Sequence, residues 1–355
     1  MKIRVRPFLL AAFIGIATLT FSASGYRLVQ TVSIPGNGAW DYMGADSANR
    51  HIFVSHGPQL EVLSADTGAI VGKIVGPGVD FSNPETLTGQ GVRGATAAPE
   101  LGRGFMPNAR DGSVSIFDLK TLKVLNVVKV GENPDGYLYD SGSRRGFTFS
   151  NRTKGAAAVD IADAKLAGTV NLGGKPEAAA ADGKGHVFVN IQDKDVVKKI
   201  DSRKLVVDET WPTAPCHEPT SMAIDTKTQR LFVGCRGKDP MLIVMNSENG
   251  KIITTLPIGT GTDAAAFDPE LHMVFTSNGE GTITVVHEES ADKYQVIDTV
   301  KTVPGARTMA LDLKTHKIFL CLADRAPTPS AVAGQPAPRA ELVPGTFRVL
   351  VVARQ

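Results

Sequence analysis

The sequence predicts an all-β protein, a seven-bladed β-propeller that spans residues 26–355. Three observations predict it: a phenylalanine-centred segment recurs seven times, a turn-forming residue precedes each phenylalanine, and a small residue precedes most of the turns. No long segment keeps a helical hydrophobic period. Repeated units of about 40 to 45 residues with four short strands are typical of propeller blades. A β-sandwich would not repeat one unit seven times at nearly one spacing.

The recurring segment is a strand-like run such as Leu231-Phe232-Val233. We expect each phenylalanine to lie on the second strand of its blade, where an aromatic ring fills the gap between neighbouring sheets. Successive phenylalanines are separated by 52, 42, 41, 44, 43 and 44 residues. They are Phe53, Phe105, Phe147, Phe188, Phe232, Phe275 and Phe319.

Each phenylalanine is preceded by a turn residue and, two positions before that turn, by a residue that is Gly or Ala in six of seven units. Because the innermost strands of a propeller converge on its axis, bulky side chains would collide there. The pattern therefore predicts the inner strands. The turn residues are Asp46, Pro99, Asp140, Asp182, Asp225, Asp268 and Asp312, and the residues two before them are Gly44, Ala97, Leu138, Ala180, Ala223, Ala266 and Ala310.

The seventh unit provides only three strands before the sequence ends, near 307–313, 317–322 and 347–352. The segment 26–34 lies immediately before the first unit and can supply the missing strand. We expect it to complete the last blade, so that strands from the two ends of the chain close the ring. Residues 77–90 and the Pro/Ala-rich residues 326–345 interrupt the period, and we expect surface loops at both.

The first 25 residues predict a secretory signal peptide. Basic residues at 2, 4 and 6 precede an apolar run over 8–21, and small residues offer a cleavage site before Tyr26. An uncleaved anchor is the alternative, although the run is short for a membrane span. Removal of residues 1–25 changes the formal net charge from +2 to −1 and leaves a periplasmic or secreted chain without a stable membrane span. A chain this close to neutral is not expected to bind nucleic acid.

Acidic residues recur where the inner strands begin, which is where propellers present ligands at the mouth of the channel. The position five before each turn residue carries a carboxylate in four units, Asp41, Asp135, Glu177 and Asp263, and Arg307 in the last. Carboxylates from several strands suit Ca²⁺ or Mg²⁺, which makes these four acids a candidate metal site. The alternative is a water-filled funnel in which Arg307 and Arg93 pair with two of the acids.

The segment before the inner strand of the fifth unit holds Cys216, His217 and Glu218. A histidine and a carboxylate at a pocket could act as a general base and its orienting group, whereas the alternative is an exposed surface histidine. Cys216 and Cys235 should lie at the same end of one blade, and a disulfide between them fits an oxidising compartment. Cys321 lies within the last phenylalanine strand and is expected to be a buried thiol.

The units resemble the YVTN-repeat β-propeller family, the YncE-like proteins of bacterial envelopes. The resemblance covers residues 26–355 and is carried by runs such as Phe275-Thr276-Ser277-Asn278 and Phe105-Met106-Pro107-Asn108. Ile191 and Leu322 stand where the motif's Asn is expected, so no family-wide site is carried over. The resemblance implies the propeller fold, but propellers of this kind include lactonases, lyases and binding proteins.

The sequence contains none of the HExxH, CxxC, P-loop or GxSxG motifs. We therefore expect an exported, monomeric, non-catalytic binding module, with a small molecule or an envelope protein bound at the channel mouth. The alternative is a lactonase-type hydrolase or lyase, metal-dependent or not, that uses the channel-mouth acids with His217 or Arg307.

Overall fold

The computed structural model describes residues 24–82, 91–328 and 340–355, and the strands in these ranges form seven four-stranded antiparallel sheets. The sheets are the blades of a seven-bladed β-propeller, as predicted. Each blade is a separate sheet, so packing between side chains, rather than a continuous hydrogen-bond ladder, holds the ring together. Within the described residues, no helix is long and apolar enough to cross a membrane.

Blades are numbered from the first complete unit, and in blades 1 to 6 the strands follow chain order from the axis outward. Blade 1 contains β2 (Met43–Asp46), β3 (His51–His56), β4 (Gln59–Ser64) and β5 (Ile70–Val75). Blade 2 contains β6 (Thr96–Ala98), β7 (Arg103–Asn108), β8 (Ser113–Asp118) and β9 (Val124–Lys129). Blade 3 contains β10 (Tyr137–Asp140), β11 (Arg145–Ser150), β12 (Gly155–Asp160) and β13 (Lys165–Asn171).

The remaining blades follow the same order. Blade 4 contains β14 (Pro176–Ala181), β15 (His186–Ile191), β16 (Val196–Asp201) and β17 (Val206–Pro212). Blade 5 contains β18 (Pro219–Asp225), β19 (Arg230–Cys235), β20 (Met241–Asn246) and β21 (Ile252–Pro257). Blade 6 contains β22 (Thr262–Asp268), β23 (Met273–Asn278), β24 (Thr282–Ser290) and β25 (Lys293–Lys301). Short 3-10 helices span Pro99–Leu101 and Gln192–Lys194.

Blade 7 joins strands from the two ends of the chain, which confirms the predicted closure. It contains β26 (Thr308–Asp312), β27 (Lys317–Leu322), β28 (Arg348–Arg354) and, outermost, β1 (Tyr26–Ser33). The β1 ladder runs antiparallel to β28, from Tyr26 opposite Arg354 to Ser33 opposite Arg348. The sheet edge that three strands alone would leave is thereby covered.

The seven predicted phenylalanines are all fully buried. Each packs against the blade that follows it, as Phe147 does against the valines of blade 4 and Phe319 against blade 1. In six blades the phenylalanine lies directly opposite the predicted inner-strand residue, for example Ala266 opposite Phe275. A Cβ on Gly44 would lie 1.8 Å from the Ala95 carbonyl oxygen of the next blade, so the backbones at the axis are too close for a larger residue.

The predicted turn aspartates cap the hairpins on one face of the ring. Asp140, for example, is buried and accepts hydrogen bonds from the backbone N–H groups of Gly142 and Ser143. Pro99 departs from this pattern, because it begins a 3-10 turn that ends at Gly102 with φ +63°. These interactions fix the first hairpin of each blade.

Contacts between blades on this face are a feature that the sequence analysis missed. In four blades, a basic residue two positions before the phenylalanine donates to a backbone carbonyl oxygen of the next blade. The pairs are Arg103 with Ile161, Arg145 with Ser202, Arg230 with Ala291 and Lys317 with Asp66, at 2.7 to 2.8 Å. Blade 1 also contacts blade 7 through Arg50 and the buried Asp312, at 2.7 Å.

The predicted disulfide between Cys216 and Cys235 is confirmed, with Cα atoms 5.6 Å apart. It fastens the segment before β18 to the end of β19 within blade 5. Cys321 is a free, buried thiol, as expected, and burial raises its pKa to about 12.

The signal peptide and both loop predictions fall mainly outside the described residues. Of residues 1–25, only Ser24 and Gly25 are described, and the Ser24 hydroxyl donates to Asp298 of blade 6 at 2.7 Å. Of the two period breaks, 83–90 and 329–339 lie outside the described ranges. The described ends of the second break pair with each other, since Ala326 N–H donates to the Glu341 carbonyl at 2.9 Å.

The phenylalanine packing predicts a large loss of stability when one ring is removed. Phe275 lies in the core between blades 6 and 7 and contacts Tyr26 of β1 edge-to-face, with ring centroids 5.1 Å apart. Phe275→Ala should lower the free energy of unfolding by about 3 to 5 kcal/mol because it leaves a cavity in this core. Urea denaturation measures the loss. The control is Phe81→Ala, whose ring is 52% exposed, and equal effects from both variants would contradict the packing account.

Candidate functional site

The predicted channel-mouth residues lie on the upper face, defined as the face that carries the connections between blades and those between second and third strands. The structure brings three arginines and the four predicted acids to this mouth. We call them the channel-mouth cluster. Its members are Asp41, Arg93, Asp135, Glu177, Arg236, Asp263 and Arg307.

Arg93 joins the acids of blades 1 and 3. It is almost fully buried, and its guanidinium lies 2.5 Å from Asp41 and 3.7 Å from Asp135. A third contact, 3.1 Å long, reaches the side-chain oxygen of Asn133. A guanidinium presents several donors in a fixed plane, so one arginine can hold all three groups in place. The geometry of Asp41 and Asp135 thus agrees with the alternative stated above, in which Arg93 pairs with acids of the channel mouth.

Asp263 is shared by two arginines from different blades. Arg307 of the segment before blade 7 lies 2.9 Å from one carboxylate oxygen, and Arg236 contacts the other. Arg236 also donates to the Thr262 carbonyl at 3.0 Å. It follows Cys235 directly and comes from the connection between the second and third strands, where the sequence predicted no mouth residue. Its position beside the disulfide is the signal that could have identified it.

Glu177 differs from the other three acids because it forms no hydrogen bond or ion pair with any residue in the described part of the chain. It begins the inner strand of blade 4 and is half-buried. Tyr42 lies among the same acids, and its ring packs edge-on against Tyr137 with centroids 5.8 Å apart. The mouth therefore combines two arginine-bound acid groups with one carboxyl that has no protein partner in the described ranges.

Burial and crowding change the acidity of these groups. Burial first, then the negative charge of Asp135, raises the pKa of Asp41 to about 7, although Arg93 opposes the shift. Burial, followed by Asp135 and Asp263, raises the pKa of Glu177 to about 7 from an ordinary 4.5. Burial also raises the pKa of Asp135. Near neutral pH, a proton can therefore be gained or lost at this mouth.

The expected pair His217 and Glu218 lies in the segment before β18, but its contacts run to a different residue. His217 Nδ1 is 2.6 Å from Asp195, and the imidazole is 67% exposed. The backbone N–H of Glu218 donates to the same aspartate at 2.8 Å. Asp195 thus organises this segment. Neither side chain is bonded to a member of the channel-mouth cluster, although the backbone N–H of Arg236 donates to the Glu218 carbonyl oxygen at 3.1 Å.

Three of the four acids that were candidates to bind Ca²⁺ or Mg²⁺ are paired with arginines. Asp41 and Asp135 lie on Arg93, and Asp263 lies between two other guanidinium groups. In residues 24–82, 91–328 and 340–355, no three His, Cys, Asp or Glu side chains are grouped so that they could hold a metal ion. The metal site at Asp41, Asp135, Glu177 and Asp263 stays a prediction.

Glu177 should make stability depend on pH. Its pKa is raised in the folded protein, so folding favours the protonated form and stability should fall as pH rises from about 4.5 towards 7 and above. Glu177→Gln should raise stability above pH 7 and leave it unchanged near pH 4, as measured by urea unfolding across this range. Glu248→Gln, at an exposed turn of the opposite face, is the control. Parallel pH profiles for wild type and Glu177→Gln would contradict the assignment.

Comparisons with known proteins support the fold and do not identify a family. No protein family matches the sequence, and no curated protein matches it. Among solved structures, a chain of the "Crystal Structure of Mitotic Checkpoint Complex" is similar in fold, with a TM-score of 0.70 and 13% sequence identity. The similarity covers 90% of this chain and 96% of that chain. At such low identity it supports the β-propeller fold alone, and membership of the YVTN-repeat family stays a prediction.

Proposed function

We propose that this protein is an exported, non-catalytic binding propeller whose channel-mouth cluster holds a ligand bearing an ammonium or guanidinium group. The ligand is either a small molecule or a basic side chain of a partner protein. The observation that carries the proposal is Glu177, a half-buried carboxyl at the mouth without a partner among the described residues. A buried carboxylate is costly unless a cation or hydrogen-bond donors compensate its charge, and a bound cation would do so.

The surrounding residues support selection of a cation over an anion. Arg93, Arg236 and Arg307 are each engaged with an aspartate, so their charges are already compensated. The ring of Tyr42 lies beside the acids, and aromatic faces attract cations. A cationic ligand would thus meet one carboxylate that needs a counter-charge and an aromatic surface next to it.

The fold and the disulfide fit an exported interaction protein. Propellers present broad, rigid faces, and the similar chain noted above belongs to a structure whose title describes a complex. A disulfide between Cys216 and Cys235 suits an oxidising compartment, in agreement with the signal peptide expected over residues 1–25. These observations favour a binding module of the periplasm or of the exterior.

Calorimetric titration with arginine, lysine and spermidine tests the proposal, with CaCl₂ and MgCl₂ as separate arms. Binding of an organic cation should be tighter at pH 8 than at pH 6, because Glu177 must lose its proton. Glu177→Gln should weaken it about tenfold or more, the usual scale of a charge-assisted contact. The control is Glu248→Gln.

The arms separate the outcomes. If no organic cation binds the wild-type protein, the proposal is wrong. If only Ca²⁺ or Mg²⁺ binds, and the double substitution Asp135→Asn and Asp263→Asn abolishes the effect of the metal ion on the melting temperature, the metal site replaces the proposed site for an organic cation.

The lactonase-type hydrolase or lyase is kept as a second candidate because two carboxyls, Asp41 and Glu177, have pKa values of about 7. Groups that titrate near the working pH are suited to general acid and base catalysis. A panel of γ- and δ-lactones tests it: hydrolysis above background that Glu177→Gln abolishes would favour the enzyme. Background rates for the purified wild-type protein would exclude these substrates.

A further inference from the structure

A cleft lies between blades 2 and 3, away from the channel axis. Its inner part is a cavity of about 320 Å³ on the β11–β12–β13 surface that faces blade 2. The floor is formed by Ser150, Gly155 and Ala157, and Val130 with Pro134 form the opposite wall. The size falls within the range of small-molecule sites.

The cavity exists because one blade lacks side chains that the others have. The position three residues after each phenylalanine ends the second strand and faces the preceding blade. In blades 2 and 6 it is Asn108 and Asn278, whose amides donate to two hydroxyls of the third strand at 3.0 to 3.1 Å. In blade 1 it is His56, which stacks on Phe347 with centroids 4.4 Å apart.

Blade 3 has Ser150 at this position, and the third-strand residues beside it are also small. Gly155 pairs with Ser150 and Ala157 pairs with Thr148, where blade 5 has Met241 and Ile243. The space that larger side chains fill in other blades is therefore open in blade 3. Because the backbone register is the same, the cavity does not result from a distorted sheet.

Apart from Glu132, the lining combines small apolar surfaces with neutral hydrogen-bonding groups. The hydroxyls of Thr148 and Ser150 donate to the backbone carbonyls of Gly136 and Glu132, at 3.1 and 2.7 Å. The hydroxyls of Thr153 and Thr169 form no hydrogen bond with residues in the described ranges. The side-chain N–H₂ of Asn171 likewise has no acceptor there. These groups lie along the opening of the cavity, where a ligand can reach them.

A wider and shallower cleft of about 540 Å³ continues from the cavity through Gly131 and Glu132. Its rim carries charges of both signs, including the ion pair of Lys129 and Asp111 at 2.7 Å. The inner cavity is thus the part suited to a neutral group, and the outer cleft gives room for an extended molecule.

We propose that the blade 2–3 cleft binds a neutral saccharide, with one sugar ring in the inner cavity and further units along the outer cleft. Sugar hydroxyls both donate and accept hydrogen bonds, and so do the threonine hydroxyls at the opening. The C–H faces of the ring would cover Ala157 and Val130. The inner cavity shares no residue with the channel-mouth cluster, so this proposal does not depend on the function proposed for that cluster.

Saturation-transfer NMR and calorimetry with N-acetylglucosamine, maltose and cellobiose test this site in the whole protein. Alanine-methyl labelling reports directly on the floor: the Ala157 signal should shift on binding, whereas that of Ala45 in blade 1 should not. If none of the three sugars binds the wild-type protein, or if binding leaves the Ala157 signal unchanged, the proposal is overturned.

Ala157→Ile should fill the inner cavity, because blade 5 has isoleucine at the equivalent position, 243. It should weaken sugar binding at least about tenfold and leave the melting temperature equal or higher. Lys198→Ile, at the equivalent position of blade 4, should keep wild-type affinity. Thr169→Val, which removes a hydroxyl and keeps the shape, should weaken binding of sugars as well. Unchanged affinity in Ala157→Ile would overturn the proposal.

Discussion

The ring depends on the packing of a phenylalanine of each blade against the following blade, with small residues on the inner strands. The seven rings are fully buried, and they occupy the gaps that open as the sheets diverge from the axis. At the axis the opposite constraint applies, since a side chain on Gly44 would collide with the backbone of blade 2. Because hydrogen bonds do not join one blade to the next into a continuous sheet, these contacts fix the angle between blades.

The same geometry produces the electrostatics of the mouth. The inner strands converge on the axis and bring together acids from four blades that are far apart in sequence. On an isolated blade, each carboxylate would be exposed to water. Arg93 and the pair of Arg236 and Arg307 compensate three of the acids. Glu177 is left without a hydrogen bond or ion pair to any described residue. Burial, followed by the charges of Asp135 and Asp263, raises its pKa, and Arg236 opposes the shift.

Sequence reasoning reached the parts that follow from the repeat. Phe275, Ala266 and the closing strand Tyr26–Ser33 were predictable because propeller geometry assigns one role to each repeated position. Arg236 was not, because it comes from a connection whose path depends on the disulfide. The partner of His217 is a residue of the preceding blade, and no local pattern indicates it. The cleft beside Ala157 was missed because a run of alanines within a strand appears ordinary until its equivalents in other blades are aligned.

The joining of β1 and β28 also determines the order in which the molecule can assemble. Partners such as Tyr26 and Arg354 are separated by more than 300 residues, so the first strand of the ring has no sheet to join until the last one has been made. Six blades can form from local hairpins before the seventh is complete. Pairing β1 with β28 closes a loop of nearly the whole chain, which is entropically costly. Until β28 has been made, β27 has an apolar edge without a partner and β1 is unpaired. In this period another chain, or a chaperone that holds unfolded chains, could bind to the incomplete blade.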